Sequence, residues 1–398
     1  MTKYIICLGD GMSDEPMESL DGKTVIEFAN TPSIDKLATL GQTGLVHTVP
    51  EGCHPGSDVA NMGILGYDPR EFYTGRGPIE AASMGISTSD SQVIFRCNLV
   101  TIENNVMKEF TAGHITDDES KQLMEELNNH FQDPDIKFFS GVGYRNIVFL
   151  NKKFDPLTTT APHDILDKNI EAYLPKGDLE KELLTFINEA NEVLSNSIVN
   201  KKRKESNLPQ ANSIWPWSQG LMPKLPSFKH KYNKTGGIVT AVDLLKGLAC
   251  LTGLESPNVE GATGFIDTNY QSKMNASLKI LENNDFVYIH VEAPDECGHM
   301  GDEKLKVQAI EDFDKNIISP VTEYVSKNPD TVVLILPDHP TPCRIKTHTS
   351  DPVPFILYSP SITADSTNVY SEKAAKEGSL NFQYPWELLD HFFSQSAK

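Results

Sequence analysis

Three segments, far apart in the chain, each end an apolar strand-like run with side chains that hard or borderline metal ions favour. They are Asp10 in LGDGM, Asp295 and His299 in EAPDECGH, and Asp338 and His339 in LPDHPTP, followed closely by His348. Ser57, in HPGSD, stands behind a glycine where DVANMGILG takes up helical apolar spacing, so its hydroxyl is expected at a helix N-terminus. Free backbone N–H groups and the helix dipole stabilise an anion there, a phosphorylated serine included. A simple N-cap hydrogen bond is the plainer use of the same position. Metal ligands beside the serine favour the first use, because a serine hydroxyl is a poor nucleophile until its environment activates it. Two metal ions and a serine nucleophile suit phosphoryl transfer.

Asp295 and His299, four residues apart, can address one ion from one helical turn, whereas the adjacent Asp338 and His339 diverge and can reach two. Each histidine by itself could equally cap a loop or fill a polar niche in the core. A mixed Asp/His shell suits Mn²⁺, Zn²⁺, Mg²⁺ or Co²⁺. The six cysteines form no CxxC pair, and Cys7, Cys97 and Cys250 sit in apolar runs as buried thiols do.

These residues need a scaffold that brings them together. Tyr4 to Leu8 is a continuous apolar run of strand length, and similar runs recur at Phe286 to Val291, Thr331 to Leu336 and Phe355 to Tyr358, with helical patterns over 271–283 and 303–327. Such alternation predicts an α/β layer fold with a mostly parallel sheet flanked by helices, in which ligands collect beyond the carboxyl ends of the strands. The pattern changes in the middle of the chain. An alternating stretch from Gln92 to Phe110 turns at Asn104-Asn105 and is followed by a helix over 116–131, strands over 136–150 and a helix from Leu179 to about Val199. This predicts a smaller inserted α+β domain over 88–206, with 1–87 and 207–398 forming the core and 205–236 a return loop.

The chain of 398 residues is long enough for two domains with sizeable cores. Its net charge of −20 provides no field to gather nucleic acid. The single basic run, KKRK at 201–204, reads as a solvated helix end or loop. No apolar stretch reaches the roughly 20 residues of a membrane span, and no cleavable signal is visible. The expectation is a soluble cytoplasmic protein that acts on a small molecule, with neither nucleic acid nor membrane as partner; the sequence specifies no oligomeric state.

Taken together, LGDGM, HPGSDVANMGILGYDP, GRGPIEAASMGI, EGATGFIDTNY, EAPDECGH, LPDHPTPC and HTSDPVPF resemble, in order and spacing, the motif set of the archaeal-type, cofactor-independent phosphoglycerate mutases of the alkaline phosphatase superfamily. The resemblance covers most of the chain. It implies an alkaline-phosphatase-like fold, one metal held by Asp295, His299 and His348, and a second held by Asp10, Ser57, Asp338 and His339. It also implies a reaction in which 3-phosphoglycerate gives its phosphoryl group to Ser57 and receives it back on the 2-hydroxyl, with no 2,3-bisphosphoglycerate. Manganese is the metal first expected. The inserted domain would enclose the site against water.

Arg76 in GRGP, Arg96 in FRCN and Arg145 in GYRN are candidates to bind the substrate's anionic groups, since a guanidinium offers carboxylate or phosphate a two-pronged fork. Surface salt bridges are the alternative, for Arg145 especially. His163 and Asp164 in APHDI could move a proton on the glycerate hydroxyls or make a structural hydrogen bond. NSIWPWSQG together with HPGSD also resembles a bacterial subgroup proposed to be homoserine kinases, which leaves an amino-alcohol acceptor as the alternative to glycerate. A metal-dependent phosphatase is a further reading. An inserted domain of this size argues against the open, water-filled site a hydrolase needs, and no glycine-rich ATP loop is present.

Overall fold

The computed structural model describes residues 2–86, 92–151, 157–178 and 180–395. The chain forms two compact units, one made of Met1–Tyr73 with Lys224–Lys398, the other of the continuous stretch Thr74–Pro223.

The first unit is built on a seven-stranded sheet with strand order Gly236–Val239, Phe286–Val291, Lys3–Gly9, Thr331–Leu336, Val353–Tyr358, Gln42–Val46 and Leu380–Phe382. Phe286–Val291 is buried throughout and Lys3–Gly9 nearly so, as expected of parallel strands covered on both faces. Val353–Tyr358 is antiparallel to both its neighbours and is the one strand that runs against the others. No helix separates it from Thr331–Leu336, and a parallel return needs a crossover. The core of this unit gathers Ile5, Cys7, Ile289, Ile335 and Ile356 from the sheet with Leu37, Ile310 and Phe313 from the helices.

The helical pattern over 303–327 is interrupted. Glu303–Phe313 and Ser319–Lys327 are joined by a π-helical turn, Asp314–Ile318, directly before Pro320, which has no N–H to donate to a regular helix. The Asp314 carboxylate accepts from the backbone N–H of Ile34 at 2.7 Å and so ties the turn to the helix Pro32–Leu40.

The second unit carries an antiparallel five-stranded sheet centred on Val93–Glu103, which pairs with Val106–Glu109, Arg145–Leu150 and Ser213–Gly220. The helices Asp117–His130 and Glu180–Asn196 pack Leu123, Leu127, Leu183 and Phe186 onto it. The divisions at 73/74 and 223/224 lie outside the expected 88–206, and the expected boundary at 87/88 falls outside the described residues. Two departures account for the difference. Arg76–Ser83 is a helix packed on Val93–Glu103, and the segment read as a return loop contains the strand Ser213–Gly220. Its residues Trp215 and Trp217 are buried.

Two further expectations are corrected. KKRK lies in the helix Ile198–Glu205, but Arg203 is buried, bonding Glu119 at 2.7 Å and the carbonyls of Ala112 and Pro209 at 2.6 and 2.8 Å. Cys250 is exposed, whereas Cys7 and Cys97 are buried. Among the described residues, no helix is long and apolar enough to cross a membrane.

Candidate active site

The strands Phe286–Val291, Lys3–Gly9 and Thr331–Leu336 are side by side and parallel, so their carboxyl ends deliver Asp295, Asp10 and Asp338 to one edge of the sheet. Past the first of them the chain enters the helix Ala293–Met300, which puts Asp295 and His299 one turn apart. His299 Nε2 lies 3.2 Å from Asp295 Oδ2 and 3.0 Å from His348 Nε2, and His348 Nε2 lies 3.6 Å from Asp295 Oδ1. His299 Nδ1 donates to the Lys346 carbonyl at 3.0 Å, which directs Nε2 inward. Asp295, His299 and His348 are thus close enough to share one cation.

A second cluster abuts the first. His339 Nε2 lies 3.7 Å from Asp10 Oδ1 and 3.4 Å from Asp338 Oδ2, with all three side chains buried. Asp10, Asp295 and His339 can also share a cation, so Asp295 belongs to both groups. Ser57 is the first residue of the helix Ser57–Ile64, and its hydroxyl lies 3.2 Å from His339 Nε2. One turn on, Asn61 donates to the Ser57 carbonyl at 2.9 Å and to Asp338 Oδ2 at 2.8 Å, fixing the serine helix to the sheet edge. Asn61 Oδ1 accepts from the buried Tyr288 hydroxyl.

The electrostatics show too much negative charge in a dry place. Burial raises the pKa of Asp10 well above the usual carboxylate range, and the charges of Asp338 and Asp295 raise it further. Asp295 behaves oppositely: burial is outweighed by its pairing with His299 and His348, which holds it well below that range. His299 moves up to about 9, against the effect of burial, through the same pair. Asp10 Oδ1 is buried with no hydrogen-bond partner among the described residues. A buried carboxylate oxygen without a donor is costly, and a divalent cation among these Asp and His donors would satisfy it. The residues present therefore fit metal binding.

Behind the cluster stands a histidine that the motifs do not identify. His290 Nε2 lies 3.0 Å from Asp10 Oδ2, and Thr240 Oγ1 lies 3.2 Å from His290 Nδ1 while accepting from the Val242 backbone N–H. Burial keeps this imidazole neutral, lowering its pKa to about 3. Lys273, also buried, donates to the His290 carbonyl at 3.0 Å. Two signals in the sequence could have found these groups: a histidine inside the apolar run FVYIHV, and a lysine on the inward side of a helical pattern.

The remaining predicted residues all lie in Thr74–Pro223. Arg76 Nε donates to Glu80 Oε1 at 2.7 Å, and Arg96 Nε lies 3.1 Å from Glu80 Oε2 with its guanidinium 4.5 Å from the centre of the Trp217 ring. Burial works against the charge on Glu80, yet Arg96, Arg76 and, more weakly, Arg145 hold its pKa below the usual value. Arg76 and Arg96 thus meet on one carboxylate, and Arg145 acts on it from farther away. Arg76 opens a helix instead of occupying the expected turn. Arg145 is exposed. His163 and Asp164 are exposed in the short helix Pro162–Ile165, 3.9 Å apart, and the His163 ring meets Trp217 edge-on at 5.4 Å.

With this geometry in hand, comparison with known proteins is informative. A family model described as 2,3-bisphosphoglycerate-independent phosphoglycerate mutase matches residues 38–200. The Methanosarcina acetivorans protein of that name is 44% identical over 390 residues, covering 97% of this chain and 98% of its own. The chain belongs to this family. Of the activities left open by the sequence, the mutase is the one that this relative carries in its name. Among solved structures, the PH0037 protein from Pyrococcus horikoshii is 29% identical with a TM-score of 0.83, covering 100% of this chain and 98% of that one. The cofactor-independent phosphoglycerate mutase from Thermoplasma acidophilum is 25% identical with a TM-score of 0.67, covering 99% of each chain. As a member of the phosphoglycerate mutase family, the chain is an isomerase.

Proposed function

We propose that this mutase interconverts 3-phosphoglycerate and 2-phosphoglycerate in sugar breakdown and synthesis through a phosphorylated Ser57. The observation that carries the reading is the Ser57 hydroxyl at the head of its helix, 3.2 Å from His339 Nε2 and beside the buried Asp10 and Asp338. In the forward direction Ser57 Oγ forms a bond to phosphorus as the bond from phosphorus to the 3-oxygen breaks, the serine proton departs and the 3-oxygen becomes a hydroxyl. The glycerate 2-oxygen then takes the phosphorus from Ser57 Oγ, losing its own proton as the serine hydroxyl is restored. No second phosphorylated glycerate is consumed, so the atoms balance within one substrate molecule.

Two divalent cations complete the site in this reading: one on Asp295, His299 and His348, the other on Asp10, Ser57, Asp338 and His339. Mn²⁺ is the first choice, with Mg²⁺, Co²⁺ and Zn²⁺ as possible substitutes. Bound there, they would stabilise charge on the attacking and leaving oxygens. The helix Ser57–Ile64 supplies N–H groups towards the phosphoserine dianion, and Asn61 keeps that helix in register with Asp338. Arg76, Arg96 and Arg145 bind the carboxylate or phosphate of the substrate, and Thr74–Pro223 acts as the substrate-binding lid that retains glycerate while its phosphoryl group is on Ser57. His163 or Asp164 handles protons on the glycerate hydroxyls.

The test is to supply metal-loaded protein with 3-phosphoglycerate and follow 2-phosphoglycerate and inorganic phosphate together. Formation of 2-phosphoglycerate well ahead of phosphate is expected. Phosphate as the main product would make the protein a hydrolase, and transfer to added homoserine without 2-phosphoglycerate would make it a kinase-like transferase.

A further inference from the structure

We propose that Thr341 is the positioning residue that couples the two metal groups, holding Asp295 with its hydroxyl and fixing which nitrogen of His339 carries the proton. The inference rests on the metal reading above and extends it to a residue that is not itself a ligand.

Thr341 Oγ1 donates to Asp295 Oδ1 and lies 3.3 Å from His339 Nδ1. A hydroxyl has one proton, and that short hydrogen bond commits it to Asp295 Oδ1. The contact with His339 must then be made by Nδ1–H donating to the threonine oxygen. A neutral imidazole has one N–H, which leaves Nε2 with its lone pair. Nε2 is the atom that faces Ser57 Oγ, Asp10 Oδ1 and Asp338 Oδ2. One hydroxyl therefore orients a carboxylate of the first group and presents a free nitrogen to the second.

The packing leaves Thr341 little freedom to do otherwise. Gly11 has φ +61°, and a Cβ there would lie 2.6 Å from both Thr341 Oγ1 and Asp295 Oδ1. On the other side, a Cβ at Gly298 would lie 2.9 Å from Thr341 Cγ2 and 2.4 Å from its carbonyl oxygen. The side chain is thus seated between the glycines of LGDG and ECGH, its hydroxyl against one and its methyl against the other. The backbone is held as well: Thr341 N–H donates to the Ser13 carbonyl at 3.2 Å, and its carbonyl accepts from the buried Lys306 ammonium at 2.9 Å. Lys306 also bonds the Ser13 carbonyl at 3.1 Å and Asp14 Oδ2 at 2.9 Å, so the loops after two adjacent strands are stapled around this one threonine.

Thr341→Val keeps the methyl packing and removes the hydroxyl, whereas Thr341→Ser does the reverse, so the pair separates positioning from filling. Titration of the metal-free proteins with Mn²⁺ is expected to show binding about 10- to 100-fold weaker in Thr341→Val, the range seen when such supporting partners of a ligand are lost, and within about threefold of the parent in Thr341→Ser. Nitrogen NMR of the metal-free parent should show His339 protonated at Nδ1, and this reading needs neither metal nor activity. Parent-like Mn²⁺ affinity in Thr341→Val, equal impairment in both variants, or His339 protonated at Nε2 would each overturn the inference. A parent protein that takes up no divalent cation would instead overturn the metal reading, and the His339 spectrum would still decide the tautomer. Should Thr341→Val fail to fold, the Thr341→Ser titration and that spectrum carry the test.

Discussion

In the unit that holds Asp10 and Ser57, the charged groups stand at the ends of buried strands, with Asp10 Oδ1 lacking a donor. In Thr74–Pro223, Arg76 and Arg96 converge on the carboxylate of Glu80, and each of its oxygens faces a guanidinium. At the first, buried carboxylates crowd together; at the second, a buried carboxylate is matched by guanidinium groups. An acidic chain that handles an anionic substrate must concentrate cations locally, and under the proposed function these would be two ways to do so: metal ions held at a buried sheet edge, and guanidinium groups offered to the substrate.

The comparison breaks most sharply at the nucleophile. Ser57→Ala should reduce turnover by at least about a thousandfold while leaving the fold intact, as measured by coupled assay and circular dichroism. Near-parent turnover would remove the serine from the mechanism. Next comes the metal. Chelation should abolish activity, with Mn²⁺ or Co²⁺ restoring it better than Mg²⁺, and His348→Ala should retain one ion of two by elemental analysis. Full activity after thorough demetallation would erase the contrast between the regions.

The arginine region should respond in binding instead of metal content. Arg145→Ala, which removes an exposed guanidinium, should raise KM for phosphoglycerate about tenfold with turnover little changed. A lower metal content or an unchanged KM would place that arginine outside the substrate site. The smallest effects on activity should come from KKRK, where one buried and three exposed cations lie side by side and the contrast is read in stability. Arg203→Ala removes hydrogen bonds to Glu119 and two carbonyls and should cost about 3 kcal/mol in denaturant unfolding, whereas Lys201→Ala should stay within about 0.5 kcal/mol. Equal costs would show that burial of Arg203 contributes nothing.

The sheet edge was legible because Asp10, Asp295 and Asp338 each follow a buried parallel strand, and runs of five or six mainly apolar residues leading to Gly-Asp or Pro-Asp leave a pattern in one dimension. Its support was less so. Thr341, Asn61 and Lys306 act through hydrogen bonds to groups on other elements, such as Asn61 to Asp338 and Lys306 to Asp14, and no spacing rule records such contacts. The segment 213–220 was misread as a loop because Pro216 and Gly220 look like breakers. In the structure Pro216 stands opposite Cys97 in the antiparallel pairing with the central strand. Arg203 was misread because a run of four basic residues looks uniformly solvated, while a helix turns one of the four inward.

The strand order also has a consequence for synthesis. Lys3–Gly9, made first, takes its two places of pairing from Phe286–Val291 and Thr331–Leu336, and Gln42–Val46 waits for Val353–Tyr358. Thr74–Pro223, by contrast, is one uninterrupted stretch that emerges whole. On the ribosome, the apolar first strand must remain without its neighbours while most of the message is read, and chains of this kind depend on protection from aggregation during that interval. A nascent chain stalled after residue 223 should therefore already hold a protease-resistant middle and a protease-sensitive beginning.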